Sequence, residues 1–385
     1  MPNYNNNISS KLPKVGTTIF TKMSELSHKH GALNLSQGFP DFDIDMSLVD
    51  HVNKFMNQGH NQYAPMPGLL SLREELASKI FKQYNIEYHP ENEITITAGA
   101  TQAIFTAIAA FVKEEDEVII FTPAYDCYQP AIDLVGGKSV FIQLTSPDYK
   151  INWEEVKKLI SQRTKMIIIN TPHNPTGTVL TLEDLKELEK ITNDSEIIVL
   201  SDEVYEHIIF DNIQHESICR YKGLADRSLA VFSFGKTFHV TGWKLGYCIG
   251  PSALMNEFRK VHQFNVFSCN HPLQLAILKH LKNPDNYLQL NSLYQEKRDI
   301  FNEAIKESRF KAISCYGTYF QLLEYSNITN ETDIDFSVRL IKEFGIASIP
   351  VSVFYNSPLD EKVLRFCFAK KDETLKKAGE ILSNI

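Results

Sequence analysis

The sequence predicts an α/β fold with a mostly parallel central sheet flanked by helices, followed by a smaller α+β domain. Two observations support this prediction: short apolar runs alternate with helical patterns through the middle of the chain, and the pattern changes after Pro272. Several of the runs are apolar throughout, as strands buried on both faces of a parallel sheet are. With 385 residues, the chain exceeds the size at which a single core stops growing, so two domains are expected.

The first part of the chain supplies the strands of the central sheet and its crossover helices. The predicted strands are Glu93–Thr97, Val118–Thr122, Met166–Asn170, Ile197–Ser201, Leu229–Phe234 and Leu245–Ile249. Between them, Thr101–Val112 is rich in Ala, Ile and Phe and is predicted to be helical. A second helix, Leu182–Ile191, follows Thr181, and Asp184 three residues later suggests a capping box.

The part after Pro272 is expected to form the smaller domain. Its predicted elements are helices at Leu273–Leu281 and Tyr287–Ser308, strands near Phe310–Ser314, Tyr319–Leu323 and Val363–Phe368, and a closing amphipathic segment at Asp372–Leu382. We therefore expect a large domain at residues 46–275 and a small domain at residues 276–385, which the N-terminal segment 1–45 joins.

Composition excludes several classes of function. Apolar residues make up 43% and charged residues 22% of the chain, as in an ordinary soluble globular protein. The net charge of −8 argues against nucleic-acid binding, and no apolar stretch is long enough to span a membrane. Six scattered cysteines without a CxxC pair, and an Asn-rich N-terminus without an apolar core, favour a cytoplasmic protein. The sequence contains no metal-ligand spacing, no GxGxxG and no P-loop, so we expect neither a metal site nor a nucleotide site.

Lys236 is the first candidate for chemistry. It follows the predicted strand Leu229–Phe234 after the single residue Gly235, and a second cation, Lys244, lies eight positions later between Gly242 and Gly246. An aldehyde cofactor with a phosphate tail requires such a set, because one amine condenses with the aldehyde while hydroxyl, backbone N–H and cationic groups hold the phosphate. Lysine suits the covalent role because desolvation and nearby cations lower its pKa. A solvated surface lysine is the alternative, and three further motifs argue against it.

Each of these three motifs follows a predicted strand. Gly99–Gln102 precedes an apolar helix, whose first N–H groups form a cradle for phosphate. Asn174, in the loop Asn170–Gly177, offers both a donor and an acceptor. Asp202 lies at the carboxyl end of a strand, where a protonated pyridine nitrogen would partner its carboxylate, and Tyr205 could bond a phenolic oxygen on the same ring. Simpler alternatives are an ordinary turn for the first two motifs and a helix N-cap for Asp202.

Together these motifs resemble, nearly from end to end, the class I/II aminotransferases of fold type I, which use pyridoxal 5′-phosphate (PLP). Within that family the sequence is most similar to the methionine aminotransferase group, with the kynurenine aminotransferase and glutamine transaminase K group close by. The segments that carry this resemblance are Asn34–Phe42, Gln62–Pro65, Pro123–Tyr128, Ser233–Thr237 and Arg365–Lys370.

The resemblance implies a role for each residue around the cofactor ring. Lys236 would condense with the aldehyde of PLP and then shuttle the proton during transfer. Asp202 would pair with the pyridinium nitrogen and keep the ring an electron sink. Asn174 and Tyr205 would bond the 3-oxygen of the ring, and Tyr125 would stack on its face.

The resemblance also implies how the phosphate and the substrate are held. The expected phosphate-binding residues are Ala100, Thr101, Gln102, Ser233 and Lys244. Tyr63 would reach the phosphate from the second subunit of a homodimer. Arg365 would clamp the substrate carboxylate bidentately, with Gly38 and Asn174 assisting.

Two features are less typical of the family or less specific. Many relatives carry arginine at the position of Lys244, so the phosphate contact here would be a point charge rather than a planar fork. Phe20 falls where the kynurenine group has a pocket aromatic, which favours apolar or sulfur-containing amino acids. Tyr128 and Phe267 could belong to the same pocket or be core aromatics, and no second arginine for dicarboxylic substrates can be placed.

The resemblance therefore implies a homodimeric PLP aminotransferase that moves the amino group of methionine, or of another apolar or aromatic L-amino acid, to a 2-oxo acid by a ping-pong mechanism. The alternatives on the same fold are a cysteine-S-conjugate β-lyase and a kynurenine or glutamine transaminase. A non-catalytic PLP-fold regulator would need a DNA-binding module ahead of the fold. We do not expect one, because the family-like region already starts near Leu12.

Overall fold

The computed structural model describes residues 2–3, 7–357 and 359–385, so residues 1 and 4–6 of the predicted N-terminal segment lie outside the described residues. The α-helices are α1 (Ile19–His30), α2 (Met46–Asn57), α3 (Leu70–Tyr84), α4 (Ala100–Phe111), α5 (Tyr128–Leu134), α6 (Trp153–Leu159), α7 (Leu182–Thr192), α8 (Lys222–Ala225), α9 (Phe234–Thr237), α10 (Ser252–Asn265), α11 (His271–Leu281), α12 (Asp285–Leu288), α13 (Leu290–Ala304), α14 (Asp333–Arg339) and α15 (Asp372–Ser383). The strands are β1 (Leu33–Asn34), β2 (Ile94–Thr97), β3 (Glu117–Thr122), β4 (Lys138–Gln143), β5 (Thr164–Asn170), β6 (Ile198–Asp202), β7 (Ser228–Ser233), β8 (Gly246–Ile249), β9 (Lys311–Ala312), β10 (Phe320–Glu324), β11 (Ile346–Ala347), β12 (Ile349–Pro350) and β13 (Val363–Cys367).

A seven-stranded sheet with the order β2-β8-β7-β6-β5-β3-β4 forms the centre of the fold. Strands β4, β3, β5, β6 and β7 pair in parallel with their neighbours, whereas β8 runs antiparallel to both β7 and β2. The prediction of a mostly parallel central sheet is therefore confirmed. The carboxyl ends of the parallel strands meet at one edge, where ligands bind in open α/β sheets.

Both faces of this sheet are buried, which explains the uninterrupted apolar runs. In β3, Val118 and Ile120 join a cluster with α4, α5 and α10, while Ile119 and Phe121 face a second and larger cluster on the opposite face. Because successive side chains of a strand point to opposite faces, a strand covered on both sides must be apolar at every position.

The six predicted strands of the sheet are all present, with ends shifted by one or two residues. The capping box at Thr181 is also confirmed, since the side chains and backbone N–H groups of Thr181 and Asp184 bond reciprocally. The edge strand β4 was not predicted. Its two end residues, Lys138 and Gln143, are exposed, and only Ile142 is buried, so its apolar run is the short Val140–Ile142.

The C-terminal part contains a four-stranded antiparallel sheet with the order β12-β13-β10-β9. The single predicted helix Tyr287–Ser308 is wrong in detail, because α12 and α13 divide this stretch at Gln289 and α13 ends at Ala304. Strand β9 keeps only Lys311 and Ala312 of the predicted Phe310–Ser314.

The N-terminal segment contacts this C-terminal part. Strand β1 pairs in parallel with β11, and Met23 of α1 packs in a cluster with Ile341, Ala347 and Phe354. The domain bounds at residues 45 and 275 stay a prediction. No helix in the described part of the chain combines the length and the apolar character that a bilayer span requires.

Candidate active site

A cavity lies at the carboxyl ends of β5, β6 and β7. Of the predicted site residues, its lining contains Ala100, Thr101, Tyr125, Asn174, Asp202, Tyr205, Ser233, Lys236 and Lys244. Residues that are up to 144 positions apart in the sequence thus line one cavity because the parallel strands end together.

Lys236 lies one turn beyond the end of β7, in the short helix α9. Its Nζ donates a hydrogen bond to Tyr319 Oη at 2.7 Å and lies 3.4 Å from the carbonyl oxygen of Gly38. Burial lowers the pKa of Lys236 to about 8, and the charge of Arg365 acts in the same direction. A large fraction of this amine is therefore neutral, and hence nucleophilic, at mildly alkaline pH.

Asp202 is the last residue of β6, and its side chain is buried. Tyr128 Oη donates to Asp202 Oδ2 at 2.6 Å, and the Val204 N–H lies 3.4 Å from Oδ1. Burial raises the pKa of Asp202 to about 6, although these donors and Lys236 oppose the rise. The segment that follows is a turn and not a helix, so the N-cap alternative is wrong. A buried carboxylate with raised pKa favours a cationic partner.

The loop after β5 is fixed by two asparagines. Asn170 accepts from the Asn174 N–H at 2.8 Å and donates through Nδ2 to the carbonyl oxygen of Asp202, also at 2.8 Å. Asn174 Oδ1 accepts from Arg365 Nη1 at 2.6 Å. The Asn174 side chain therefore faces the site and bonds Arg365, so the loop is more than an ordinary turn.

Arg365 lies in β13 and is 1% exposed. Its guanidinium carbon lies 3.9 Å from the ring centre of Phe320 and 5.3 Å from that of Phe20. Its Nη2 reaches the Ser36 carbonyl oxygen at 3.5 Å, but its Nε has no acceptor in the described part of the chain. Burial lowers the pKa of Arg365 to about 10. A buried guanidinium with a free N–H is a site for a carboxylate.

Gly38 lies where no larger residue would fit. A Cβ atom on Gly38 would come within 2.7 Å of Phe320 Cζ, and the Gly38 carbonyl oxygen accepts from Tyr319 Oη. The backbone at Gly38 therefore approaches Lys236 closely on this side of the cavity.

An anion cradle lies at the N-terminus of α4. Gly99 precedes the helix with a φ of 80° and no side-chain cap, so the first N–H groups, those of Ala100 and Thr101, have no intrahelical partner. A Cβ on Gly99 would lie 3.6 Å from Lys244 Nζ, which places the amine beside these N–H groups. With Ser233 in the same lining, the set suits a phosphate.

The side chain of Gln102 does not reach the cavity. It donates through Nε2 to Thr106 Oγ1 at 2.6 Å and lies 3.2 Å from His262 Nδ1 and 3.1 Å from Asn265 Oδ1. These contacts tie α4 to α10. Only the backbone N–H of Gln102 could contribute to the cradle.

Two predicted aromatic residues differ sharply in placement. Tyr125 lines the cavity and its hydroxyl lies 3.2 Å from Thr101 Oγ1, whereas Tyr63 is 79% exposed and lies outside the lining. Tyr63 meets Phe267 edge-on, with ring centres 5.1 Å apart. Phe267 therefore belongs to a surface pair, and Tyr128 belongs to the core beneath Asp202.

Comparison with known proteins identifies the family in which this set of site residues occurs. A family model described as aminotransferase class I and II matches residues 31–382. The chain belongs to this family. It is 47% identical to the methionine aminotransferase of Escherichia coli (strain K12), over 98% of each chain. It is 35% identical to kynurenine–oxoglutarate transaminase 3 of Rattus norvegicus, over 97% of this chain and 89% of the relative.

The structural comparison agrees. The crystal structure of YbdL from Escherichia coli, identified as a methionine aminotransferase, superposes with a TM-score of 0.97 and 47% identity, covering 99% of this chain and 100% of that one. The predicted fold-type I architecture is thus confirmed. The protein is an aminotransferase, and the family to which it belongs is known to use PLP.

The aminotransferase site contains three contributors that sequence reasoning missed. Tyr319 bonds Lys236, Tyr128 bonds Asp202, and Asn170 holds the Asn174 loop against β6. Tyr128 and Asn170 lie inside motifs that were singled out, so their positions carried a signal. Nothing in the sequence around Tyr319 pointed to Lys236, because the two residues are 83 positions apart.

A buried ion pair supports the turn that follows Asp202 in the aminotransferase. Lys79 Nζ of α3 lies 2.7 Å from Glu206 Oε1, and both side chains are 3% exposed. Tyr84 donates to Glu206 Oε2 at 2.8 Å, and Tyr247 donates to Oε1 at 3.1 Å. Burial opposes ionisation of Glu206, but Lys79 and His207 together hold its pKa well below the usual range. The ionised Glu206 thus anchors the segment that carries Asp202 and Tyr205.

Proposed function

We propose that this aminotransferase uses PLP and takes its amino group from methionine, or from another apolar or aromatic L-amino acid, with a 2-oxo acid as acceptor. The observation that carries the proposal is that the amine of the partly buried Lys236 shares one cavity with the buried carboxylate of Asp202. These two groups match the aldehyde and the ring nitrogen of PLP. The similarity to methionine aminotransferase supports the choice of donor.

The residues present fit PLP. The Ala100 and Thr101 N–H groups, Ser233 and Lys244 would hold the phosphate, with the Gln102 N–H as a further donor. Tyr125 would cover the ring, and Asn174 and Tyr205 would bond its 3-oxygen. The unpaired donor of Arg365 then remains for the substrate carboxylate. When bound, PLP would supply an aldehyde for the amino group and a ring that withdraws electrons from the substrate Cα.

The chain's own groups would divide the remaining work. Lys236 Nζ, with its pKa lowered to about 8, would carry a proton to and from the substrate Cα. The carboxylate of Asp202 would hold the proton on the ring nitrogen, because an ionised partner stabilises the pyridinium in a buried site. Arg365 and Asn174 would orient the substrate through its carboxylate.

The surroundings of Arg365 favour an apolar side chain on the donor. Phe20 and Phe354 lie 5.3 and 5.1 Å from its guanidinium carbon, and both line a groove that also contains Met23 and Val353. Asp126 lines the same groove, and its charge would oppose an acidic side chain.

We further propose a cytoplasmic homodimer in which Tyr63 completes the phosphate site of the second subunit. The exposure of Tyr63, together with Phe264 at 86% and Phe267 at 50%, supports a protein contact at this surface. The two-domain division at residues 46–275 and 276–385, with the segment 1–45 added to the smaller unit, is part of the same proposal.

The visible absorbance of PLP-loaded protein tests the function. Methionine without acceptor should convert the absorbance of the bound aldehyde form to that of the aminated form, with release of one 2-oxo acid, and added 2-oxo acid should restore it. Lys236→Ala should keep PLP non-covalently and show no conversion. If methionine leaves the absorbance unchanged but kynurenine or glutamine converts it, the donor is wrong. Pyruvate and ammonia released from a cysteine conjugate without acceptor would instead show a β-lyase.

A further inference from the structure

Tyr319 lies between Lys236 and Gly38 and is not among the residues that line the cavity. It precedes β10 and is fully buried. Its Oη donates to the carbonyl oxygen of Gly38 and accepts from Lys236 Nζ at 2.7 Å. The Lys236 amine, which would react with the cofactor, therefore donates to the Tyr319 hydroxyl, outside that lining.

We infer that Tyr319 is a positioning residue, which docks the Lys236 amine whenever that amine is free of the cofactor. This inference rests on the proposed function, because it assigns to Lys236 the role of a reacting amine. It concerns the stages of the reaction in which Lys236 has no covalent bond to the cofactor and its amine is available to transfer a proton.

The direction of the hydrogen bonds supports the docking role. The only proton of the Tyr319 hydroxyl is used on the Gly38 carbonyl, so the oxygen is left as an acceptor for Lys236. The Lys236 amine lies 3.4 Å from that same carbonyl, which brings two acceptors to one side of it. Because these two acceptors hold N–H groups on one side of the amine, its other side faces the cavity that Lys236 lines.

The phenol is itself held rigidly. Tyr205 meets the Tyr319 ring edge-on with centres 5.2 Å apart, and Phe320 and Tyr294 pack at 4.9 and 5.7 Å. Burial raises the pKa of the Tyr319 hydroxyl well above its usual range, so the hydroxyl stays neutral. Tyr319 thus acts on the reaction through Lys236, by orientation and by favouring the protonated amine.

The rate at which apoprotein captures PLP, followed by visible absorbance across pH, tests this role without turnover. Capture requires the neutral amine of Lys236 in a reactive orientation. Because an acceptor stabilises the charged amine, Tyr319→Phe should move the midpoint of the pH profile down by about one unit. At high pH, where the amine is neutral in both proteins, loss of orientation should slow capture by about tenfold.

Tyr294→Phe is the matched control. Tyr294 is equally buried and packs on Tyr319, but its hydroxyl bonds His239 Nδ1 at 2.9 Å. This variant should keep the wild-type midpoint and high-pH rate. If Tyr319→Phe matches wild type in both, or if Tyr294→Phe shifts the midpoint equally, the inference about Tyr319 is overturned while the proposed function stands. If wild-type protein captures no PLP at any pH, the proposed function fails and takes the inference with it.

A second measurement keeps the inference testable if Tyr319→Phe does not fold. In a crystal structure of wild-type protein with pyridoxamine 5′-phosphate, Lys236 has no bond to the cofactor. Its Nζ should then lie within hydrogen-bonding distance of Tyr319 Oη. An amine directed away from Tyr319 in that structure would contradict the docking role.

Discussion

Replacement of Asp202 by asparagine should stabilise the apoprotein while weakening the cofactor site. Asparagine keeps the shape of the side chain and can still accept from Tyr128, but it removes the buried charge. Burial raises the pKa of Asp202 from 3.8 to about 6. Since each pKa unit corresponds to about 1.4 kcal/mol, ionised Asp202 costs the folded apoprotein about 3 kcal/mol at neutral pH.

The sign of this effect fixes its pH dependence. Between about pH 4 and about pH 6, the folded protein still holds a proton that the unfolded chain has released, so the free energy of unfolding falls as the pH rises. Below about pH 4 the carboxyl is protonated in both states, and the cost disappears. The advantage of Asp202→Asn should therefore be close to 3 kcal/mol at about pH 8 and small at about pH 4.

Urea unfolding of apoprotein, followed by circular dichroism at these two pH values, measures the effect. Asp148→Asn, which neutralises an exposed carboxylate, is the matched control and should change little at either pH. Addition of PLP should stabilise wild type more than Asp202→Asn, because the cationic ring nitrogen would find its partner only in wild type. A variant that is less stable than wild type at about pH 8, or equally changed at both pH values, would refute a cost from buried charge.

Two further substitutions test other parts of the site. Arg365→Lys keeps the charge but loses the planar fork and the free Nε donor, so steady-state kinetics should show a KM for methionine about 100-fold higher, with PLP capture unchanged; an unchanged KM would remove Arg365 from substrate binding. Lys79→Met leaves the Glu206 charge alone in the core, so the free energy of unfolding should fall by about 3–5 kcal/mol. The double variant with Glu206→Gln should regain over half of this loss, and no recovery would show that the loss is not due to the unpaired charge.

The parts of the fold that could be predicted from sequence are those that local pattern determines. The strands β3, β5, β6 and β7 are apolar at nearly every position because helices cover both faces, and this left a clear signal. Strand β4 lies at the edge, where Lys138 and Gln143 are exposed, so its pattern was too weak. The direction of β8 between β2 and β7 also has no local signal, because pairing depends on the whole sheet.

The candidate site shows the same division. Lys236, Asp202 and Asn174 lie at the ends of predicted strands, where chemistry is expected, and the structure brings them together in one cavity. The side chain of Gln102 was out of reach of such reasoning, since its partners in α10 are about 160 positions away. The hydroxyl of Tyr319 was missed for the same reason. Its contact with Lys236 is a tertiary one, which the neighbouring residues in the chain do not indicate.

The anion cradle has a consequence for how the molecule assembles. Its parts come from three separated segments: the start of α4 after β2, Ser233 at the end of β7, and Lys244 just before β8. Since β8 lies between β2 and β7, these parts meet only when all three strands are aligned. If the cradle holds the phosphate of PLP as proposed, binding of PLP during refolding would report when β2, β8 and β7 have become aligned.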